Sequence, residues 1–148
     1  MPQPTAYLLD TNIILALLRG NALGVALDRD YALSASRTRN LVCVVSVGEL
    51  LSIGYRAGWG QPKKAALETF LQELIWIDID DRSILDTYAQ IDSFSLSIGK
   101  KMGKNDFWIA GSAAVTGATL ITTDSDFDHL HGNQIQRIWI DPQTGKTS

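Results

Sequence analysis

The hydrophobic residues of this chain fall into two patterns that alternate along its length. Five short apolar runs predict strands: TAYLL, LVCVV, IWIDI, ATLITT and IQRIWI. Apolar residues at helical spacing fill the intervals between these runs. Strands that alternate with helices indicate a parallel sheet covered on both faces. The pattern therefore predicts an α/β fold with a central, mainly parallel sheet flanked by helices.

Polar residues, glycines and prolines mark the ends of the predicted helices. Gly20 should stop a first helix that follows Asp10, and a second helix should run over residues 21–37. Four more helices are expected: residues 46–57, residues 63–74, one capped by Asp80 or Asp81, and one from Asn105 or Asp106 to Gly117. One domain should cover residues 5–141, and the tail at 142–148 is expected to be frayed.

Four acidic residues stand where a strand gives way to a helix or in the first turn of a helix: Asp10, Glu49, Asp106 and Asp124. Ligands of parallel α/β folds bind outside the carboxyl ends of the strands, so these side chains should converge at one edge. For Asp106 this requires that its helix begins at that edge. Converging carboxylates repel one another unless a cation joins them, and hard cations such as Mg2+ prefer oxygen ligands. The acids therefore predict a metal site suited to chemistry on phosphates.

Each of these acids also has a purely structural interpretation. The spacing from Ser46 to Glu49 matches a capping box, in which the glutamate reaches back to the start of its helix. The three aspartates could each cap a helix and favour its dipole. Asp126 and Asp128 are further candidate ligands, although both suit exposed positions in a turn. Only the convergence of the whole set distinguishes a metal site from separate caps.

Composition and charge restrict the class of protein. With 148 residues, 45% of them hydrophobic and 20% charged, the chain suits one globular domain. No apolar run is long enough for a membrane span, no secretory signal is evident, and the single cysteine, Cys43, cannot form an internal disulfide. These features predict a cytoplasmic protein. The net charge of −3 becomes +1 once the four acids are set aside, so a nucleic-acid partner is permitted but not required.

Other common catalytic arrangements have little support. His129 and His131 have no cysteine or third histidine beside them, which disfavours a zinc site. The sequence contains no G-x-S-x-G motif of the kind that presents a nucleophilic serine. A phosphatase of the haloacid dehalogenase type would carry an aspartate two positions after Asp10, where this chain has Asn12.

Four motifs, which occur in the same order over nearly the whole chain, resemble those of the PIN-domain ribonucleases: LLDTNIILALL, SVGELL, NDFWIAGSAA and LITTDSDF. The similarity is greatest to the VapC-type toxins of bacterial toxin–antitoxin pairs. The resemblance implies a PIN domain with a three-layer fold over residues 5–141, dependence on Mg2+ or Mn2+, and cleavage of RNA.

The resemblance also implies roles for individual residues. The four acids of the family match Asp10, Glu49, Asp106 and Asp124 in chain order. Thr11 and Asn12 complete the first motif, and Thr123 matches a hydroxyl position that helps to order the site.

From these positions we expect a metal-activated water to hydrolyse an RNA phosphodiester. Asp10 and Asp106 would be the main metal ligands, and Glu49 would bind the metal or orient the water. Asp124 would complete the site, with Asp126 as a weaker candidate and Asp128 as a competitor. The expected substrate is structured RNA with an exposed loop, because its phosphate must reach the pocket.

The resemblance further implies two protein partners. An antitoxin would cover the acidic pocket with a basic segment, and a second copy of the chain would form a homodimer. The alternative function is a PIN-like module that binds RNA or protein without cutting it. The complete set of acids disfavours this alternative.

Overall fold

A computed structural model describes residues 6–33 and 40–148, and in them a five-stranded sheet lies between two layers of helices. The strands are β1 (Tyr7–Leu9), β2 (Asn40–Cys43), β3 (Ile75–Ile77), β4 (Thr119–Thr122) and β5 (Gln136–Trp139). The helices are α1 (Thr11–Arg19), α2 (Ala22–Tyr31), α3 (Val44–Arg56), α4 (Gln61–Gln72), α5 (Arg82–Ser97) and α6 (Lys104–Thr116), and a 3-10 helix follows at Ser125–Leu130.

All five strands run parallel, in the order β3-β2-β1-β4-β5. The predicted α/β fold with a flanked parallel sheet is thus confirmed. The chain builds outward from β1 to β3 on one side and then returns to add β4 and β5 on the other. The strand order therefore reverses between β1 and β4, and such a switch point is where open α/β sheets bind ligands.

The alternation of side chains along each strand divides the core into two clusters. Leu9, Val42 and Ile121 belong to one cluster, which includes residues of α1, α2, α3 and α4. Their immediate neighbours in the strands, Leu8, Leu41 and Leu120, belong to the other cluster, together with residues of α6 and the 3-10 helix. Because successive strand residues point to opposite faces, short continuous apolar runs are what a sheet buried on both faces requires.

Several helix ends fall where the sequence places them. Gly20 and Gly117 close α1 and α6 in the left-handed conformation, with φ of 60° and 72°, which glycine adopts without a steric cost. Asp81 caps α5 by accepting hydrogen bonds from the backbone of Ser83 and Ile84. Each cap binds backbone groups that the helix itself leaves unpaired.

Several boundaries differ from the predictions, including those of α4, which begins and ends two residues earlier than predicted. The second helix ends at Tyr31 because Ala32 turns into the left-handed region at φ 54°, and the predicted end at Arg37 lies outside the described residues. Strand β2 ends at Cys43, so α3 begins at Val44 rather than at Ser46. Helix α6 begins at Lys104 after a glycine cap, and not at Asn105 or Asp106.

Residues 142–148, predicted to be a frayed tail, fold back on β5 in the structure. The backbones of Trp139 and Ser148 exchange two hydrogen bonds, and the side chain of Asp141 accepts hydrogen bonds from the turn that follows it. The pairing gives the tail hydrogen-bond partners that its sequence did not reveal. Separately, no helix among the described residues is long and apolar enough to cross a membrane.

Candidate metal centre

Asp10 forms the most buried corner of the candidate site, directly after β1. Its side chain is 6% exposed and caps α1, with Oδ1 accepting a hydrogen bond of 2.8 Å from the backbone of Thr11. The hydroxyl of Thr122, at the end of β4, donates a hydrogen bond of 2.7 Å to Oδ2. The two carboxylate oxygens are therefore held in place by the first residue of α1 and by the last residue of β4.

Thr122 also connects this corner to the next acid along the chain. Its Oγ1 accepts a hydrogen bond of 2.9 Å from the backbone of Asp124, while Asp124 accepts one of 2.8 Å from the backbone of Asp126. Asp124 thus caps the 3-10 helix, as one interpretation of its sequence predicts. The cap uses one carboxylate oxygen and does not turn the side chain away from the site.

Glu49 reaches the same edge from α3 and does not act as a helix cap. The hydroxyl of Thr11 donates a hydrogen bond of 3.1 Å to Oε1 of Glu49. The capping-box interpretation was wrong, because α3 already begins at Val44 and Ser46 lies within it. The Ser46 hydroxyl is buried and has no hydrogen-bond partner among the described residues. Glu49 is left to interact with α1 rather than with its own helix.

Asp106, Asp124 and Asp126 form the tightest group of acids. Each offers one carboxylate oxygen, and these three atoms lie within 4.8 Å of one another. Asp106 is half-buried in the first turn of α6, so that helix does begin at the edge of the sheet where β1 and β4 end. Asp10 and Glu49 stand outside this tight group, although both act on Asp106 electrostatically.

The acids disturb one another's ionisation. The pKa of Asp106 is raised to about 7, first by burial and then by the negative charges of Asp124, Asp10, Asp126 and Glu49, in that order. Burial also raises the pKa of Asp10 to about 6, where the hydrogen bonds from Thr122 and Thr11 act in the opposite direction. Carboxylates that resist ionisation because of neighbouring carboxylates are in an environment that a cation would stabilise.

Two residues near the last acid have roles that differ from the prediction. The predicted site-ordering hydroxyl, Thr123, only accepts a long contact of 3.5 Å from the side chain of Asn12. The hydroxyl that orders Asp10 belongs to Thr122, which the sequence did not single out. Asp128 forms an ion pair of 3.1 Å with Arg137 and is not part of the group formed by Asp106, Asp124 and Asp126.

The chemistry of this donor set fits a hard divalent cation such as Mg2+ or Mn2+. All of its side-chain donors are carboxylate oxygens, which is the ligand type that such cations prefer. Asp106, Asp124 and Asp126 are close enough to share one ion, and Asp10 and Glu49 lie beside them. No group among the described residues adds a histidine or cysteine that would favour zinc.

Structures of known proteins share this fold. VapBC2 from Rickettsia felis, bound to a DNA fragment from its promoter, matches with a TM-score of 0.75 at 22% identity, over 89% of this chain and 98% of that one. VapBC-5 from Mycobacterium tuberculosis, a member of the VapBC family of toxin–antitoxin systems, matches with a TM-score of 0.67 at 27% identity, over 93% and 100%. FitAcB from Neisseria gonorrhoeae matches with a TM-score of 0.65 at 27% identity, over 81% and 88%.

Comparison with curated protein sequences gives no match. The sequence profile of one family, the PIN domain, matches residues 7–133. That range contains all five candidate acids and every strand up to β4. The chain therefore belongs to the PIN domain family.

Proposed function

We propose that the protein is a metal-dependent endoribonuclease that hydrolyses RNA phosphodiester bonds. The observation that carries the proposal is the convergence of Asp106, Asp124 and Asp126 beside the buried Asp10, at the switch point of a PIN-domain sheet. PIN domains are generally nucleases, and this chain has an acid at each of the four motif positions, Asp10, Glu49, Asp106 and Asp124. The carboxylates of the site would be occupied in holding the metal, so a metal-activated water is the natural attacking group.

Each acid then has a role that follows from its surroundings. Asp106, Asp124 and Asp126 would hold Mg2+ or Mn2+ through the oxygens that already lie together. Asp10, fixed by Thr122 and Thr11, would present a carboxylate of defined direction to the same site. Glu49, held by the hydroxyl of Thr11, would orient the attacking water or contribute a further ligand. When bound, such a metal lowers the pKa of water and stabilises negative charge on phosphate oxygens.

We further propose that the chain is the toxin of a type II toxin–antitoxin pair. The support comes from its similarity to structures described as VapBC toxin–antitoxin proteins, including one at 27% identity. An antitoxin would then cover the acidic edge, the active form would be a cytoplasmic homodimer, and the substrate would be a structured RNA with an exposed loop. A sedimentation measurement that finds only monomer at micromolar concentration would remove the dimer from this proposal.

The nuclease proposal is tested by incubating the purified chain with mixed RNA, with Mg2+ or Mn2+ and with chelator. Cleavage should require metal and should be lost in Asp106→Asn, which keeps the size of the side chain but removes its charge. Asp128→Asn is the matched control, because this acid lies near the site but is paired with Arg137. RNA binding without cleavage, unchanged by metal, would instead identify a PIN-like binding module. Normal cleavage by folded Asp106→Asn would refute the assigned site.

A further inference from the structure

A groove runs from the candidate metal centre along one face of α3. Its α3 wall is made of Val45, Gly48, Glu49, Ser52, Ile53 and Arg56, and the opposite wall includes Asn105 from the first turn of α6. The groove has a volume of about 460 Å3, which is within the range of pockets that hold a small organic group. Glu49 and the neighbour of Asp106 both line it, so the groove opens directly onto the acids.

Arg56 supplies a positive charge to this groove, seven residues from Glu49 and therefore two helical turns away on the same face of α3. Its side chain makes no ion pair or hydrogen bond with any residue in the described parts of the chain. Ser52 and Asn105, which are exposed between Arg56 and the acids, likewise leave their polar groups without a partner in the described ranges. The groove thus presents an arginine and a serine on its α3 wall and an asparagine on the opposite wall.

At Gly48, no side chain projects from α3 into the groove. Gly48 lies in the middle of α3, where glycine costs about 1 kcal/mol relative to alanine. A Cβ atom built on Gly48 would meet nothing within 4 Å, so packing within the protein does not require a glycine there. A side chain at this position would instead project into the groove.

Beside the groove, but not lining it, an exposed tyrosine precedes Arg56 near the end of α3. Tyr55, next to Arg56, is 76% exposed, and the ammonium group of Lys64 lies 4.3 Å from the centre of its ring. An exposed ring beside cations is the combination on which single-stranded nucleic acids stack. Arginine is suited to a phosphate because its planar fork can donate two parallel hydrogen bonds.

From these observations we infer that the groove holds the RNA segment next to the bond that is cut, with Arg56 binding a backbone phosphate. The inference rests on the proposed nuclease function, since it names the substrate path of the same site. Ser52 and Asn105 would contact the sugar or base between that phosphate and the acids. The acids would otherwise repel the RNA backbone, so a cation at this distance would also offset that repulsion.

The test compares Arg56→Gln with Arg19→Gln in the full chain. Arg19 is a matched control because it is also exposed and in the last turn of its helix, but it lies outside the groove. Binding of a fluorescent single-stranded oligoribonucleotide is followed by anisotropy in chelator, where nothing is cut. Arg56→Gln should weaken binding about fivefold to tenfold. The negative slope of log K against log salt should become less steep by about 0.7, the value for one phosphate contact on a single strand. Arg19→Gln should leave both unchanged.

A second variant, Gly48→Leu, separates a blocked groove from a damaged fold. Leucine should stabilise α3, so the melting temperature should rise while RNA binding weakens. In cleavage assays, Arg56→Gln should raise KM and leave kcat nearly unchanged, because the residue touches no acid of the centre. If the protein binds RNA but does not cut it, the nuclease proposal is wrong, whereas the inference that the groove binds RNA is still supported.

Three results would overturn the inference itself. One is equal RNA affinity and salt slope in Arg56→Gln and Arg19→Gln. Another is the absence of measurable RNA binding by the parent chain. The third is unchanged RNA binding in Arg56→Gln together with lost binding of an acidic protein partner, which would assign the groove to a protein.

Discussion

Two corners of the candidate centre carry the same functional group but hold it differently. Asp10 is almost completely buried, yet its pKa rises only to about 6, because Thr122 and Thr11 donate hydrogen bonds to its charged form. Asp106 is less buried and receives no hydrogen bond among the described residues, and its pKa rises to about 7. Hydrogen bonds to a carboxylate favour ionisation, and their absence leaves burial and repulsion unopposed.

Because of this difference, Asp10 and Asp106 would contribute to metal binding in different ways. The Asp10 corner is fixed before any ligand arrives, since both of its oxygens already have donors. Asp106 is left with unsatisfied negative charge beside Asp124 and Asp126, and a cation is the partner that its surroundings lack. Asp10, which is held rigidly, can orient a metal. Asp106, whose negative charge a metal would stabilise, can bind it strongly.

The largest expected effect comes from neutralising each corner in turn. Asp10→Asn and Asp106→Asn should each reduce metal-dependent cleavage by more than about a hundredfold, because even groups that only support a metal ligand contribute tenfold to a hundredfold. The two variants should differ in stability. Asp106→Asn should raise the melting temperature of the metal-free protein at pH 8, since it removes an unfavourable charge and breaks no hydrogen bond. A larger rise in Asp10→Asn than in Asp106→Asn would contradict the comparison.

The second test removes what fixes the Asp10 corner. Thr122→Val takes away the donor to Asp10 and the acceptor for the backbone of Asp124, so it should lower the free energy of unfolding by about 1–3 kcal/mol. Its loss of activity should be greater at pH 6 than at pH 8, because the pKa of Asp10 should rise further. Thr123→Val is the control, since that hydroxyl makes only a 3.5 Å contact. Urea unfolding measures the change in stability, and pH–rate profiles measure the change in activity. Equal effects of the two variants would show that the Thr122 hydroxyl has no special role in ordering the site.

The third test uses pH to compare the metal-free and metal-bound states. Asp10 and Asp106 have folded pKa values of about 6 and about 7, above the 3.8 of an ordinary aspartate. The unfolded chain therefore releases these protons at lower pH than the folded chain does. Stability of the metal-free protein should consequently fall as pH rises from about 4 to about 7 and should then level off.

Calorimetric scans across this pH range provide the measurement. Adding Mg2+ or Mn2+ at pH 8 should restore stability, and metal affinity should strengthen as pH rises because the metal competes with protons. Asp106→Asn should flatten the metal-free profile. A profile that rises with pH in the unmodified chain would contradict the raised pKa values.

The smallest expected effect separates the two acids that follow Asp124. Asp126→Asn should weaken metal binding about tenfold, since its carboxylate belongs to the tight group. Asp128→Asn should leave metal affinity unchanged and should lower the free energy of unfolding, because the mostly buried Arg137 loses its charge partner. Isothermal titration with Mn2+ gives both affinities. Equal weakening in the two variants would return Asp128 to the site.

The local sequence was sufficient to predict helix ends and caps that depend on a single residue. Gly20 and Gly117 end helices because the left-handed conformation is open to them, and Asp81 caps α5 through a side chain of the right length. The apolar runs gave the strands, most directly for β1, β2 and β4, because inner strands buried on both faces leave little room for polar residues. These signals depend on neighbours within a few positions in the chain.

Boundaries and hydroxyl roles could not be obtained in the same way. Thr122 and Thr123 are adjacent and chemically identical, and only the end of β4 against β1 decides which hydroxyl meets Asp10. Glu49 fits a capping box equally well until the helix is seen to begin at Val44. The groove with Arg56 depends on how α3 lies against α6, for which the sequence holds no local signal.

By itself, then, the sequence determined an α/β fold, four candidate acids and a resemblance to PIN domains. Periodicity and end-capping are local properties, which the order of residues encodes directly. The tertiary structure alone decided that Asp126 joins Asp106 and Asp124, that Asp128 pairs with Arg137, and that Thr122 holds Asp10. Those outcomes depend on distances between residues far apart in the chain, and such distances are fixed only when the strands take their register and the helices pack on the sheet.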